Sequence, residues 1–516
     1  MVNILSWLFV RRLMVLVAIV ALPVTGYAQD ATLTGTVTDS TGGVLPGVTV
    51  TAIHQASGNT VTAVTDERGA FRLPGRVGNY KITVELVGFT TVNKTVELVV
   101  GQTTVTNFQL AAGGVQETIT VTGAAPLVDT TKTSMGGTIN PRQMDNIPLN
   151  GRNWMDLTLM APGSNMNAVS DVPTGAVGSN SGNYQINIDG QQVTQTMFNT
   201  FGQAHFSRDA IAEMEVSGRF DASQGRSSGI QVNAITKSGT NSYEGIYSGF
   251  FRSDKFNAPD FINGVTTIGA PPGRSQVGCT IGAAGCNSHV QPYSNQTMTW
   301  TYGGPIKKDK IHFFGNYDFS RQPQTYPYNT PYPSFNLDQQ FTTWDRKGGG
   351  RLDFQLSTRT HLAVRGNHSF YTEPVATGNA ATPVGGNNLH PSTPVITERF
   401  SNDLFFTLTQ VLNNRMLNEV KGGYAGFYWT RTPIVTGWKN HPFGLDVGTP
   451  ILTFTGPFTI GQAHNNSPQK WVSDPYNIRD DFTLTFNKAG RHTVKLGSEY
   501  LADLLSVFVC NICMGQ

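Results

Sequence analysis

Asp481-Phe482-Thr483-Leu484-Thr485-Phe486, then Asn487 to Arg491, then His492-Thr493-Val494-Lys495-Leu496-Gly497-Ser498-Glu499-Tyr500: this run near the end of the 516-residue chain decides how the rest is read. Successive side chains of a strand point to opposite faces. Phe482, Leu484 and Phe486 therefore share one face, and Asp481, Thr483 and Thr485 the other. After the turn, Val494, Leu496 and Tyr500 continue the apolar face, while Thr493, Lys495, Gly497 and Glu499 continue the polar one. The same alternation recurs upstream. Leu352, Phe354 and Leu356 alternate with Arg351, Asp353 and Gln355, and Leu362, Val364 and Phe370 come after a turn at Ser357 to Thr360. Met298, Trp300 and Tyr302 lead through Gly304 to Lys310 into Ile311, Phe313, Tyr317 and Phe319.

These segments have the length needed to cross a bilayer at a tilt, about ten residues. An apolar face backed by charged residues suits lipid on one side and water or a plug on the other. A soluble sandwich would bury the apolar face instead, and periodicity alone does not separate the two. Loop lengths do. Tight turns alternate with long Gly-, Pro- and Asn-rich stretches at 253–296, 321–347, 371–401 and 429–478, the asymmetry of outer-membrane barrels.

Composition agrees. Charged residues make up 14% of the chain, against about 25% in ordinary soluble domains. Gly occurs 56 times, where average usage would supply roughly 36. The net charge of +2, with Lys and Arg scattered, offers nothing to nucleic acid. At the N-terminus Arg11-Arg12 precede an apolar run from Leu13 to Leu22, then Pro23 and the small-residue site around Gly26-Tyr27-Ala28. That is the layout of a signal peptide cleaved after Ala28, the apolar run being too short to span a bilayer. Cys279 with Cys286, and Cys510 with Cys513, form two close pairs. In an exported chain such pairs read as local disulfides; a zinc site would need both to converge, and no suitably spaced His accompanies them.

Residues 31 to 111 read as about seven short strands in a sandwich, with Asp39 and Asp66 as turn residues that bond their own backbone. Gly35-Thr36-Val37-Thr38-Asp39, Gly43 to Val50 and Thr65 to Phe71 resemble the carboxypeptidase regulatory-like domain, which implies a non-catalytic module. After Ala111-Ala112-Gly113-Gly114 comes Glu117-Thr118-Ile119-Thr120-Val121-Thr122-Gly123, a strand former between two domains without an obvious hairpin partner. It resembles a TonB box, a segment to which a periplasmic energiser adds a strand. The alternative reading is the last strand of the sandwich, or an extended linker. The next stretch of chain resembles the plug of TonB-dependent receptors: Asn146 to Asn153 feeding a short amphipathic helix over Trp154 to Ala161, a strand at Tyr184 to Gly190, alternation from Asp209 to Val216, and Ile230 to Asn241. Gln231 and Asn233 make that last strand unusually polar. Gly225-Arg226-Ser227-Ser228-Gly229 satisfies the GxSxG spacing, but the hydrolase elbow needs a strand before its Ser and a helix after it. Tyr302 to Phe314, and Phe251 to Ala258 as the passage from plug to barrel, resemble Oar-like TonB-dependent receptors.

The reading is a mainly β protein: signal peptide 1–28, immunoglobulin- or prealbumin-like sandwich 29–112, TonB box and α+β plug 113–240, and an incomplete antiparallel barrel 241–516. The resemblance implies an outer-membrane transporter without catalysis, metal or cofactor. Its partners would be a TonB-type energiser, outer-membrane lipid and an extracellular ligand such as an oligosaccharide or peptide. An adhesion protein without import is the alternative. About nine membrane-length strands lie between Tyr243 and Leu501, whereas single-chain barrels have even numbers and a plug needs a wide lumen. A longer parent chain is therefore expected.

Overall fold

The computed structural model describes residues 31–100, 103–113, 119–122, 136–149, 152–161, 164–166, 173–175, 184–194, 206–217, 230–256, 260–262, 265–267, 293–327, 332–335, 338–375, 390–413, 415–434, 452–454, 458–461, 467–487 and 491–509. The expected signal peptide, the four cysteines and the GxSxG run lie outside them.

The N-terminal domain holds β1 (Ala31–Asp39), β2 (Thr49–His54), β3 (Thr60–Val64), β4 (Ala70–Gly75), β5 (Gly78–Glu85), β6 (Val92–Leu98), β7 (Thr103–Val105) and β8 (Phe108–Leu110). One sheet runs β3-β2-β5-β6, and the other has β4, β7 and β8 around β1. Alternate residues from both, including Leu33, Val37, Val50, Phe71, Leu73, Ile82, Val84 and Leu110, meet in one buried core. Asp39 Oδ1 accepts from the Thr41 and Gly43 amides at 2.8 and 2.9 Å. Asp66 Oδ1 accepts from Arg68 and Ala70 at 3.0 and 2.9 Å. Both carboxylates serve their turns, as read from sequence.

His54 is buried in this domain beside the Tyr80 ring, 5.0 Å between centroids, and its Nδ1 accepts from the Ser57 amide at 3.2 Å. Burial, with the Arg76 charge adding to it, pushes the imidazole down to about 3. The folded state thus refuses a proton that the unfolded chain takes below its ordinary value of 6.5. The resulting stability is complete above that value and is lost as pH falls through the window towards 3, at about 1.4 kcal/mol per pH unit. Thermal unfolding of His54→Gln is expected to show a correspondingly flatter acid limb than the wild type; equal slopes would assign the acid sensitivity elsewhere.

The next unit contains β9 (Ile119–Thr122), β10 (Gly136–Ile139), helix α1 (Pro141–Asn146), β11 (Ser164–Met166), β12 (Pro173–Gly175), β13 (Tyr184–Ile188), β14 (Gln191–Gln192), β15 (Ile211–Ser217) and β16 (Ile230–Thr236). Helix α1 begins with a capping box between Asn140 and Gln143 and a Pro in its first turn. Sequence reading missed it because its six residues are too few to display a helical period. The helix expected over Trp154 to Ala161 is a 3-10 helix, Trp154–Met160, with Asn153 accepting from the Met155 amide at 3.2 Å. The main sheet of this unit, which covers the expected plug, runs β10-β15-β16-β13-β14, so β16 is central. Of its polar residues, Asn233 is matched on the neighbouring strand, where Asn187 Nδ2 donates to its Oδ1 at 2.7 Å.

Nine long strands form one antiparallel sheet: β17 (Glu244–Ser253), β20 (Ser294–Lys307), β21 (Ile311–Pro327), β22 (Asp338–Ser357), β23 (Thr360–Val375), β24 (Val395–Asn413), β25 (Met416–Pro433), β28 (Gln469–Asn487) and β29 (Arg491–Val509). Between them lie two small hairpins, β18 (Asp260–Ile262) with β19 (Val265–Thr267), and β26 (Leu452–Phe454) with β27 (Phe458–Ile460). Phe482 stands opposite Leu496 and Leu484 opposite Val494, so the two apolar faces read from sequence meet across the hairpin. Three boundaries differ. The ends of the stretches 321–347, 371–401 and 429–478 belong to the long strands, because the ladders run well past the apolar band and polar alternation there reads as loop. The run Phe251 to Phe256 closes the first barrel strand and a short 3-10 turn, rather than joining plug to barrel. That junction is Lys237 to Tyr243, between β16 and β17.

Candidate functional site

Strand β9 carries the middle of the candidate TonB box. It pairs in parallel with β6, Ile119 opposite Val92 and Thr122 opposite Thr95, and completes the sheet order β3-β2-β5-β6-β9. The sequence expectation of a strand without a partner is corrected: β6 was an edge of the sandwich, and an edge with unpaired backbone groups is completed by the next extended segment. Hairpin spacing could not reveal this, because the pairing is parallel and the strands are separated by β7 and β8. β9 is now the terminal strand, with no strand on its other side among the described residues. Glu117, Thr118 and Gly123 lie outside the described residues.

The sandwich is docked on the short-turn end of the barrel, which in bacterial barrels faces the periplasm. Arg76 reaches Asp353 at 3.7 Å and donates to Ser238 at the plug-to-barrel junction. Asn59 Nδ2 donates to the Asp309 carbonyl in the β20–β21 turn at 3.2 Å, and the Asn241 amide donates to the Ala56 carbonyl at 2.7 Å. Arg72 donates to Thr485 at 3.2 Å, and Val61 packs against Val411 and Leu417. The Val100 amide donates to Glu213 of the plug. One domain thus contacts the turns of several barrel strands and the plug together.

The plug is held against the barrel wall at a second place. Asp189 and Gly190 turn β13 into β14, both with positive φ, 49° and 76°. A side chain at Gly190 would strike the Lys421 ammonium of the wall. Asp189 Oδ1 accepts from the Thr236 amide at 2.8 Å, fixing the carboxylate, which then meets Arg351 at 3.2 Å and Arg365 at 3.0 Å. Arg365 is buried between Phe206 of the plug and Phe405 of the wall, 5.0 and 4.8 Å from the ring centres. Arg351 also pairs with Asp353 at 3.0 Å, and His361 approaches the same carboxylate at 3.3 Å. Nearby, Gln191 donates to the Phe406 carbonyl at 2.8 Å, and Ser207 donates to Asp318 at 2.8 Å. Arg351 and Asp353 were visible in sequence as polar-face residues, but their plug partner was not. The Asp-Gly turn dipeptide was the available signal.

With this geometry the family is defined. The chain belongs to the outer membrane beta barrel domain family, matched over residues 235–337 and 329–508, and it is an outer-membrane protein. Residues 32–111 match the carboxypeptidase regulatory-like domain, the module expected there. The TonB-dependent transporter Oar of Myxococcus xanthus is 24% identical over 317 residues, 58% of this chain and 28% of that protein. The chain therefore spans well under half of that relative's length. Among solved structures, the outer membrane transporter YddB from Escherichia coli superposes with a TM-score of 0.52 at 12% identity, over 72% of this chain and 49% of that one. The expected resemblance to Oar-like receptors is borne out.

Proposed function

We propose that this protein is a TonB-dependent outer-membrane transporter, taking up an extracellular ligand too large for porins and energised through a periplasmic TonB contact without catalysis of its own. The observation that carries this reading is the order sandwich, sheet-terminal strand β9, plug and barrel wall, with the plug clamped by Asp189. Glu117, Thr118, Ile119, Thr120, Val121, Thr122 and Gly123 are the segment the energiser would engage by strand addition. Pulling there would act on the plug through the 13 residues from 123 to 135 that precede β10. On the opposite end, Tyr332, Phe335, His390 and Phe458 from three loops meet in one aromatic cluster, with Phe335 and His390 4.5 Å apart edge-on. Such a cluster would tie the loops into a ligand-capturing surface for an oligosaccharide or peptide.

The test is uptake of candidate ligands by cells with and without the energiser. Accumulation that needs the energiser supports import. Binding to the cell surface that is unchanged by its removal, with no accumulation under either condition, would support adhesion instead.

A further inference from the structure

We propose that the outward face of β21 and β22, at the loop end of the barrel wall, is a binding site for the phosphate-bearing headgroup of an outer-leaflet glycolipid. Phe319 and Arg321 on β21 stand directly opposite Arg346 and Trp344 on β22, so that two guanidiniums and two aromatic rings form a crossed square. Arg346 lies 5.1 Å from the Trp344 ring centre and 5.9 Å from that of Phe319, and Arg321 lies 5.6 Å from Trp344. The two rings are 5.8 Å apart.

The alternation of the strands shows that this face is the lipid side. The intervening residues point inward, where Asp318 accepts from Ser207 of the plug and Lys347 pairs with Asp345 at 2.8 Å. Arg346 also sits within one cross-strand row: Phe319, Arg346, Phe370, Phe400 and Tyr428 are successive register partners. Phe400 and Tyr428 stack at 4.2 Å. Towards the short turns the same faces carry Leu352, Val364, Phe406 and Leu404. A row of aromatics at the rim of an apolar band is the girdle that marks a membrane interface.

A cation on the lipid face costs about 2–4 kcal/mol at the midplane but about 0–1 near an interface. Two arginines at this level are therefore tolerated only where headgroups begin. Among the described residues neither Arg321 nor Arg346 forms an ion pair with a carboxylate, and Arg346 is exposed. A guanidinium stacked on a ring keeps its planar fork of donors free, and phosphate matches that fork with two parallel hydrogen bonds. Acyl chains alongside would lie over Leu352, Val364 and the Phe370–Phe400 pair, whose rings are 6.3 Å apart. The combination selects an amphiphile with phosphate at the girdle rather than a soluble anion.

The experiment is native mass spectrometry of the protein extracted from outer membranes in mild detergent, delipidated and titrated with bisphosphorylated glycolipid or its dephosphorylated form. The expected result is at least fivefold preference of the wild type for the phosphorylated form, a comparison that needs no variant. Arg321→Gln/Arg346→Gln is expected to lower its occupancy at least tenfold, with Arg321→Lys/Arg346→Lys retaining more than the Gln pair. Equal binding of the two lipids by the wild type, or Gln-pair occupancy within twofold of wild type, overturns the proposal. Displacement of the lipid by equimolar inorganic phosphate overturns it also, since that would make the square a site for soluble anions.

Discussion

Ile119→Pro is expected to reduce energised uptake at least tenfold, to the level of cells lacking the energiser, while leaving passive ligand binding unchanged. Proline removes a backbone donor and is confined to edges or bulges of sheets. In a parallel ladder, alternate residues turn their N–H groups to opposite sides. One of Ile119 and Thr120 therefore donates towards β6 and the other towards the open edge of β9. Making both substitutions separately tests the two edges. Loss in both variants means that the strand must be held by the sandwich and also reach the energiser. Loss in only one assigns the function to a single edge. Full uptake in both would show the segment to be a linker and would remove the support for TonB coupling.

The second large effect is expected at the plug clamp. Asp189→Ala would leave Arg351 and Arg365 facing the plug without its carboxylate, and would free the Thr236 amide. Removing one partner of a buried ion pair destabilises by about 3–5 kcal/mol, because the remaining charge stays desolvated. Asp145→Ala is the control. It removes a 3.3 Å pair with Lys237 whose Asp side chain is 57% exposed, and a surface pair is worth about 0–1 kcal/mol. Denaturant unfolding of both variants, with limited proteolysis of the plug, measures the contrast. Equal small effects would mean that Asp189 is hydrated or that the plug is held by its apolar core alone.

Much of this architecture is legible in the residues alone. Alternation of side chains is a local property, so Phe482, Leu484, Val494 and Leu496 declare their hairpin and its apolar face within twenty residues. The turn carboxylates of Asp39 and Asp66 are equally local, since each bonds amides two and four residues onward. The number of long strands, about nine, comes from the same alternation. The lengths of those strands do not, because beyond the apolar band both faces of a strand are polar and the periodic signal disappears.

The sequence by itself therefore determined the mainly β fold and, on the strands where the alternation holds, which residues share the apolar face. Only the tertiary structure decided what the pieces do to one another. The parallel pairing of β9 with β6 joins residues separated by two other strands. The meeting of Asp189 with Arg351 and Arg365 spans more than 160 residues, and Arg76 reaches Asp353 across nearly 280. Such contacts depend on how rigid sheets are stacked and on which edges remain open. No local pattern encodes that geometry. The crossed square of Phe319, Arg321, Trp344 and Arg346 arises in the same way: each residue is ordinary on its own strand, and the register between β21 and β22 brings two cations and two rings together.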